Sequence, residues 1–295
     1  MANLFFSKYK RISVLFFGWA YDKNKKTFDH LQEHMRNANM GILVKAWVSM
    51  SALTAILVLF ATALGVYAMS QIFIIEALYF YVFLFSMCVL TTSTTLLLFY
   101  IYPIEREDSR RKSIDNNLPF ATIHMSAVAS AGIPIDFMFG LISSFTEYGE
   151  VSEDAKTIMR NIKTFGMNYI DAIKDVENKT PSTDFKSLLS GIVSTVQSGG
   201  DLVTYLNSMA EKALFDYRIK REKYVKTLAT YADIYTVLLV AAPLMMISLL
   251  ATMSIIGGEI MGMSIQDLMF VITWLVLPLL NVAFIAFIHI TYPNV

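Results

Sequence analysis

An all-α polytopic membrane protein, with four transmembrane helices and one cytoplasmic helical bundle, is the fold class that this 295-residue chain predicts. Four apolar runs without Asp, Glu, Lys or Arg predict the spans: residues 46–68, 77–102, 234–258 and 268–290, each 23 to 26 residues long. A hydrocarbon core about 30 Å thick takes about 20 helical residues, so each run crosses once with a little to spare for tilt. All 24 Lys and Arg residues fall in 1–45 and 103–230, and none falls in 46–102 or 231–295. Short segments rich in Lys and Arg stay on the cytoplasmic side, so both termini and the 103–230 block are expected inside the cell membrane. Helical periodicity runs through that block, with no sustained alternation of period two.

Taken in order, residues 1–45 form a cytoplasmic N-terminal helical arm. Lys8, Lys10 and Arg11 ahead of the apolar stretch 12–21 imitate a signal peptide. The stretch is only ten residues long, no small-x-small site follows, and more lysines lie within 22–26, so an interfacial or packed helix is expected instead. Residues 46–102 form a transmembrane hairpin whose outer turn, 69–76, carries only Glu76 as a charge. Residues 231–295 form a second hairpin with a short cytoplasmic tail, and its outer loop carries only Glu259 and Asp267. The single cysteine, Cys88, lies in the second span and reads as a small packing residue; no intrachain disulfide can form.

The 103–230 block has 128 residues, the size of an independently folding domain. Phe185, Leu188, Leu189, Ile192, Val193 and Val196 make one apolar helical stripe, and Phe137, Met138, Leu141, Ile142 and Phe145 make another. Residues 118–131 are apolar nearly all round, which suits a central helix. Gly132-Ile133-Pro134 closes that helix, Gly149 and Ser152 separate two more, and Thr180-Pro181 starts another with proline in its first turn. Gly199 and Gly200 suit a left-handed helix end, and Asp201 can then cap the next helix. Residues 201–242 contain neither Gly nor Pro, enough for one helix of about 60 Å that Pro243 then kinks.

In the order of these features the chain resembles the membrane platform proteins of type II secretion systems, type IV pili and archaella. The residues that carry the likeness are Ala131-Gly132-Ile133-Pro134, Gly166, Ser198-Gly199-Gly200-Asp201-Leu202 and Tyr231-Ala232-Asp233, the last similar to the archaeal branch. The resemblance covers residues 105–256. Bacterial members usually carry Gly-Glu where this chain has Gly200-Asp201, and many hold two copies of the helical domain; this chain has one. The resemblance implies a non-catalytic protein without cofactor that pairs with itself or a paralogue. It also implies that the protein receives pilin or archaellin subunits and works with a hexameric ATPase. The chain has no G-x-x-x-x-G-K-[ST] phosphate loop of its own.

Gly132, Pro134, Gly166, Gly199, Gly200 and Asp201 are accordingly expected as structural turns. The locally acidic stretch with Asp136, Glu147, Glu150, Glu153 and Asp154, free of Lys and Arg between 112 and 156, is either a solvated face or an ATPase contact. Arg218, Lys220, Arg221, Lys223 and Lys226, like Arg106, Arg110, Arg111 and Lys112, suit topology and lipid headgroups. Asp233, at the mouth of a span, needs water, a cation such as Lys226, or a protein contact.

Other classes fit less well. His30-Leu31-Gln32-Glu33-His34 is a literal H-x-x-E-H zinc pattern, but it lies in a Lys-flanked arm without an obvious third ligand, so no metal is expected. Asp201 and Asp233 are similar to the paired acids of membrane peptidases only superficially, since on one continuous helix they would stand about 48 Å apart. A transporter or channel would need ionisable or broken spans, which are scarce here. Nothing points to nucleic acid.

Overall fold

The computed structural model describes residues 2–23, 25–70, 77–257, 259, 260 and 262–291. Asn24, the turn around Glu76 and Gly258 at the end of the third run lie outside them. Helical content is 89%, and the strands among the described residues are two short pieces in one loop, so the chain is all-α. It divides into two compact units, residues 1–211 and 212–295.

In the first unit, α1 (Ala2–Lys23) lies along α3 (Val44–Ser70), turning Ser13 and Gly18 inward. A Cβ at position 18 would stand 2.9 Å from Lys45 Cε, so the lysine stem rests directly on the glycine. Between α1 and α3 in the chain, α2 (Lys25–Asn37) buries Leu31 and Met35, one turn apart, in a small core with Val44, Trp47 and Val48. Asn39 follows α2 in left-handed backbone, φ 52°, a conformation its short polar side chain tolerates.

The helix α4 (Ala77–Ser130) is 54 residues long and continues through Pro103 and Pro119. A proline leaves the carbonyl four residues before it without its helical donor. For Pro103 that carbonyl belongs to Phe99, and Trp47 Nε1–H donates to it at 3.1 Å. The tryptophan thus compensates the proline and ties α3 to α4, while its ring stacks on Tyr102 at 5.5 Å. The C-terminal third of α4 is the central helix expected from the sequence. Around it pack α5 (Ile135–Ser144), a 3₁₀ turn (Thr146–Tyr148), α6 (Glu150–Phe165), α7 (Tyr169–Glu177), α8 (Thr183–Gln197) and the start of α9 (Leu202–Tyr235). Ile114, Met125, Phe139, Ile142, Ile158, Leu188, Leu189 and Leu206 are sealed in this core, each contributing about 1.5–3 kcal/mol of burial.

Punctuation differs from expectation at two places. Pro181 precedes α8 rather than entering its first turn, because Ser182 is the cap, its Oγ accepting from Phe185 N at 3.1 Å. Ser152 lies inside α6, and only Gly149, φ 54°, breaks the chain there.

In the second unit, a π-helical stretch (Thr236–Ala241) follows α9 and leads into α10 (Ala242–Ile256). A two-residue hairpin, β1 (Glu259–Ile260) with β2 (Met263–Ser264), connects it to α11 (Ile265–Val271). A second π-helical stretch (Ile272–Val276) then leads into α12 (Leu277–Thr291). Both π stretches end two residues before a proline, Pro243 and Pro278. The irregularity expected at Pro243 is therefore taken up in the preceding turn, where widened hydrogen-bond spacing accommodates the missing N–H. Among the described residues four helices are long and apolar enough to cross a membrane: Val44–Ala68, and the apolar parts of Tyr81–Ser130, Leu202–Ile256 and Ile265–Ile288.

Candidate functional site

The glycines at the helix ends hold distinct geometries. Gly132 (φ 74°) closes α4, Pro134 leads into α5, and Gly166 (φ 67°, ψ 22°) ends α6 with its N–H on the carbonyls of Asn161 and Ile162. At the end of α8 only Gly199 is left-handed, φ 68°. Its N–H meets Val196 O at 3.2 Å and that of Gly200 meets Thr195 O at 2.8 Å, a Schellman ending. Gly200 has ordinary φ, but a Cβ on it would come 3.2 Å from Thr195 Cγ2. Asp201 follows, with Oδ1 accepting from Val203 N at 2.9 Å and Oδ2 from the Thr204 hydroxyl at 2.5 Å. These hydrogen bonds, the Thr204 hydroxyl first, hold its carboxyl below the usual range.

The five acids of the stretch 136–154 separate into two groups. Glu147, Glu153 and Asp136 are exposed, and Glu153 pairs with Lys156 at 2.7 Å. Glu150 and Asp154 instead turn inward to Arg110, which is 2% exposed. Arg110 Nε donates to Glu150 Oε2 at 3.3 Å, Nη2 to Asp154 Oδ1, and Nη1 to the backbone carbonyls of Asn37 and, at 3.0 Å, Lys179. One guanidinium thus joins the end of α2, α4, α6 and the loop before α8, using the fork geometry that arginine alone offers. Burial pushes the Asp154 carboxyl up to about 6, against the pull of the Arg110 charge and with the push of Glu150 and Glu153. Its second oxygen, Oδ2, has no partner.

By sequence Arg110 groups with its exposed neighbours, and no single residue marks it as different. Its spacing from the buried Ile114, one helical turn on, is the signal that could have found it. Arg111 and Lys112, by contrast, pair locally with Asp108 at 2.9 and 2.8 Å, and Arg106 reaches Glu150 at 3.3 Å.

Beside this node, His34 Nδ1 pairs with Glu107 Oε2 at 2.5 Å, and Asn37 Nδ2 donates to Glu107 Oε1 at 2.9 Å. His30 stacks on His34 at 4.7 Å. Of the H-x-x-E-H pattern, His34 thus helps to fasten α2 to α4. Among the described residues no three His, Cys, Asp or Glu side chains are grouped to hold a metal.

In the second unit Arg218, Lys220, Arg221 and Lys223 are exposed along α9, and a shallow open depression runs past Arg218, Arg221, Val225 and Lys226. Asp233 is exposed near the C-terminal end of α9. Two residues on, Tyr235 donates its hydroxyl to Asn281 Oδ1 at 3.1 Å. That bond and the Tyr231–Phe287 and Tyr235–Phe284 ring contacts join α9 to α12.

Residues 121–250 match the family model described as type II secretion system (T2SS), protein F. An uncharacterized protein of Methanocaldococcus jannaschii is 24% identical over 202 residues, 68% of this chain. The match spans about a third of that relative's length, 34%. No solved structure matches the chain.

Proposed function

We propose that this chain, whose residues 121–250 match the type II secretion system protein F family, is an assembly platform in the cell membrane. It would serve a type IV filament, pilus or archaellum, or a related type II secretion machine. The observation that carries this reading is the placement of the family match, which begins in the buried core of α4 and ends in the apolar helix α10. The matched region therefore runs from a packed helical bundle into a segment long and apolar enough to cross a membrane. Such a region suits mechanical transmission rather than bond chemistry.

On this reading the segregation of Lys and Arg keeps both termini and the helical domain in the cytoplasm. A cytoplasmic hexameric ATPase supplies the energy, the bundle passes its movements to the spans, and pilin or archaellin subunits enter the filament from the bilayer beside them. The platform carries out no catalysis itself. It works as a homodimer or beside a paralogue, and its α9 cations, Arg218, Lys220, Arg221 and Lys223, meet lipid headgroups.

Deletion of the gene in its native host tests the proposal, with filaments imaged by electron microscopy and the pilin precursor followed by immunoblot. Loss of filaments with normal precursor processing is the expected result. Loss with unprocessed precursor would indicate a peptidase instead, and unchanged filaments in a strain without paralogues would overturn the reading.

A further inference from the structure

We propose that the π-helical stretches Thr236–Ala241 and Ile272–Val276 form one hinge across the hairpin of the last two spans. At this hinge the α9–α12 half of the hairpin tilts as a body against the α10–α11 half. Each stretch widens one turn of its helix: Ala242 N–H bonds the carbonyl of Val237 and Leu277 N–H that of Ile272, five residues back instead of four. Proline follows in both, and Pro243 and Pro278 have no N–H to give to the carbonyls of Leu239 and Trp274. A helix that has lost part of its regular hydrogen-bond ladder bends most easily at that place.

Register makes the two irregularities one feature. Tyr235 bonds Asn281 at 3.1 Å and packs on Phe284 at 5.4 Å, while Tyr231 meets Phe287 at 6.2 Å. The helices therefore run antiparallel, with residue 235 opposite 281–284. Eight residues on from 235 and eight back from 281–284, Pro243 comes level with 273–276, inside the second π stretch. By the same count Pro278 comes level with 238–241, inside the first.

Packing divides at the same level. On one side the tyrosine contacts tie α9 to α12. On the other, Leu250 of α10 is buried with Ile265 of α11 and with Ile272, at the edge of the second stretch. Each half thus has its own contacts between helices, and hydrogen bonding is loosened in both helices between them. A π turn that only accommodated a proline would need no counterpart at the same level of the neighbouring helix. Both prolines fall well inside the apolar runs 234–258 and 268–290, so the bend lies within the bilayer. The inference goes beyond the platform reading, because it concerns the hairpin itself whatever the chain assembles.

Hydrogen–deuterium exchange of the full chain in phosphatidylcholine nanodiscs, read by mass spectrometry, provides the test. Peptides covering 236–241 and 272–276 should exchange about tenfold faster than those covering α10, although they lie deeper in the bilayer. Pro243→Ala and Pro278→Ala each restore one N–H, and either alone should slow both stretches roughly threefold or more. The stretch on the unsubstituted helix is the decisive readout, since its own sequence is unchanged. Slowing confined to the substituted helix would leave two independent irregularities and overturn the proposal. So would exchange in the two stretches no faster than in α10. A variant that misfolds speeds exchange throughout, and the other variant then decides. Filament loss on deletion of the gene, together with uncoupled exchange, would separate failure of the hinge from failure of the platform reading.

Discussion

Gly191 shows how a single missing methyl group positions a neighbouring helix. A Cβ there would lie 1.9 Å from the Tyr205 hydroxyl and 2.3 Å from Cζ, so the tyrosine of α9 can lie over α8 only because residue 191 is glycine. Tyr205 uses that proximity to donate to the carbonyls of Ser187 at 3.3 Å and Leu188 at 3.2 Å. Gly191→Ala is expected to cost about 1–3 kcal/mol of stability, read from denaturation in detergent. In a Tyr205→Ala background the same substitution should cost almost nothing, because the obstructing ring is gone; equal costs in both backgrounds would refute the contact. Arg110 acts at the same scale. Arg110→Met leaves the Asp154 carboxylate buried without its cation and Glu150 with the exposed Arg106 alone, at an expected cost of about 3–5 kcal/mol in the same denaturation. Asp154 also gives the domain a pH dependence. An acid whose folded pKa, about 6, exceeds its unfolded value of 3.8 binds more protons when folded. Its contribution therefore grows as pH falls through 6 and is complete below 3.8. Denaturation should show the domain about 1 kcal/mol more stable at pH 5 than at pH 8, and Asp154→Asn should remove that difference.

Among the elements, α4 shows what sequence pattern reveals and what it hides. The apolar runs and the stripe of α8 are legible because they depend on period and length alone; Phe185, Leu188, Leu189 and Ile192 are all sealed in the core. Continuity of α4 through Pro103 is not legible, because it depends on a donor from another helix. Trp47 supplies that donor to Phe99 O. Trp47→Phe should leave the carbonyl unpaired in an apolar setting and cost about 1–3 kcal/mol in thermal or chemical unfolding. Adding Pro103→Ala restores a backbone N–H four residues on and should recover most of the loss. Failure of the second substitution to rescue the first would show that Trp47 acts by packing alone. The end of α8 follows the same logic. A glycine pair is visible in the sequence, but its division of labour is not: Gly199 bears the left-handed backbone, while Gly200 sits close to Thr195. Which of two adjacent glycines takes the positive φ depends on where the last helical carbonyls find their donors, a matter of geometry rather than of residue type.

At the scale of the whole molecule, the position of the charges decides orientation. The 103–230 block is too long for its total charge to count, since long segments translocate largely regardless of charge. The weight falls on the residues near the spans. Arg36 and Lys45 precede the first, Arg106, Arg110, Arg111 and Lys112 follow the second, and Arg218 to Lys226 precede the third, while neither the segment joining the first two apolar runs nor the one joining the last two carries a Lys or Arg. Arg110 is committed to the interior of its domain, yet its neighbours alone preserve the bias. Cysteine labelling on intact cells, in a Cys88→Ser background, tests the result directly. Met263→Cys, in the exposed hairpin between the last two spans, should react with a membrane-impermeant maleimide. Thr146→Cys, exposed in the turn after α5, should react only once the membrane is permeabilised. The reverse pattern would put the helical domain outside the cell, where no cytoplasmic ATPase could reach it, and the platform reading would fall together with the orientation.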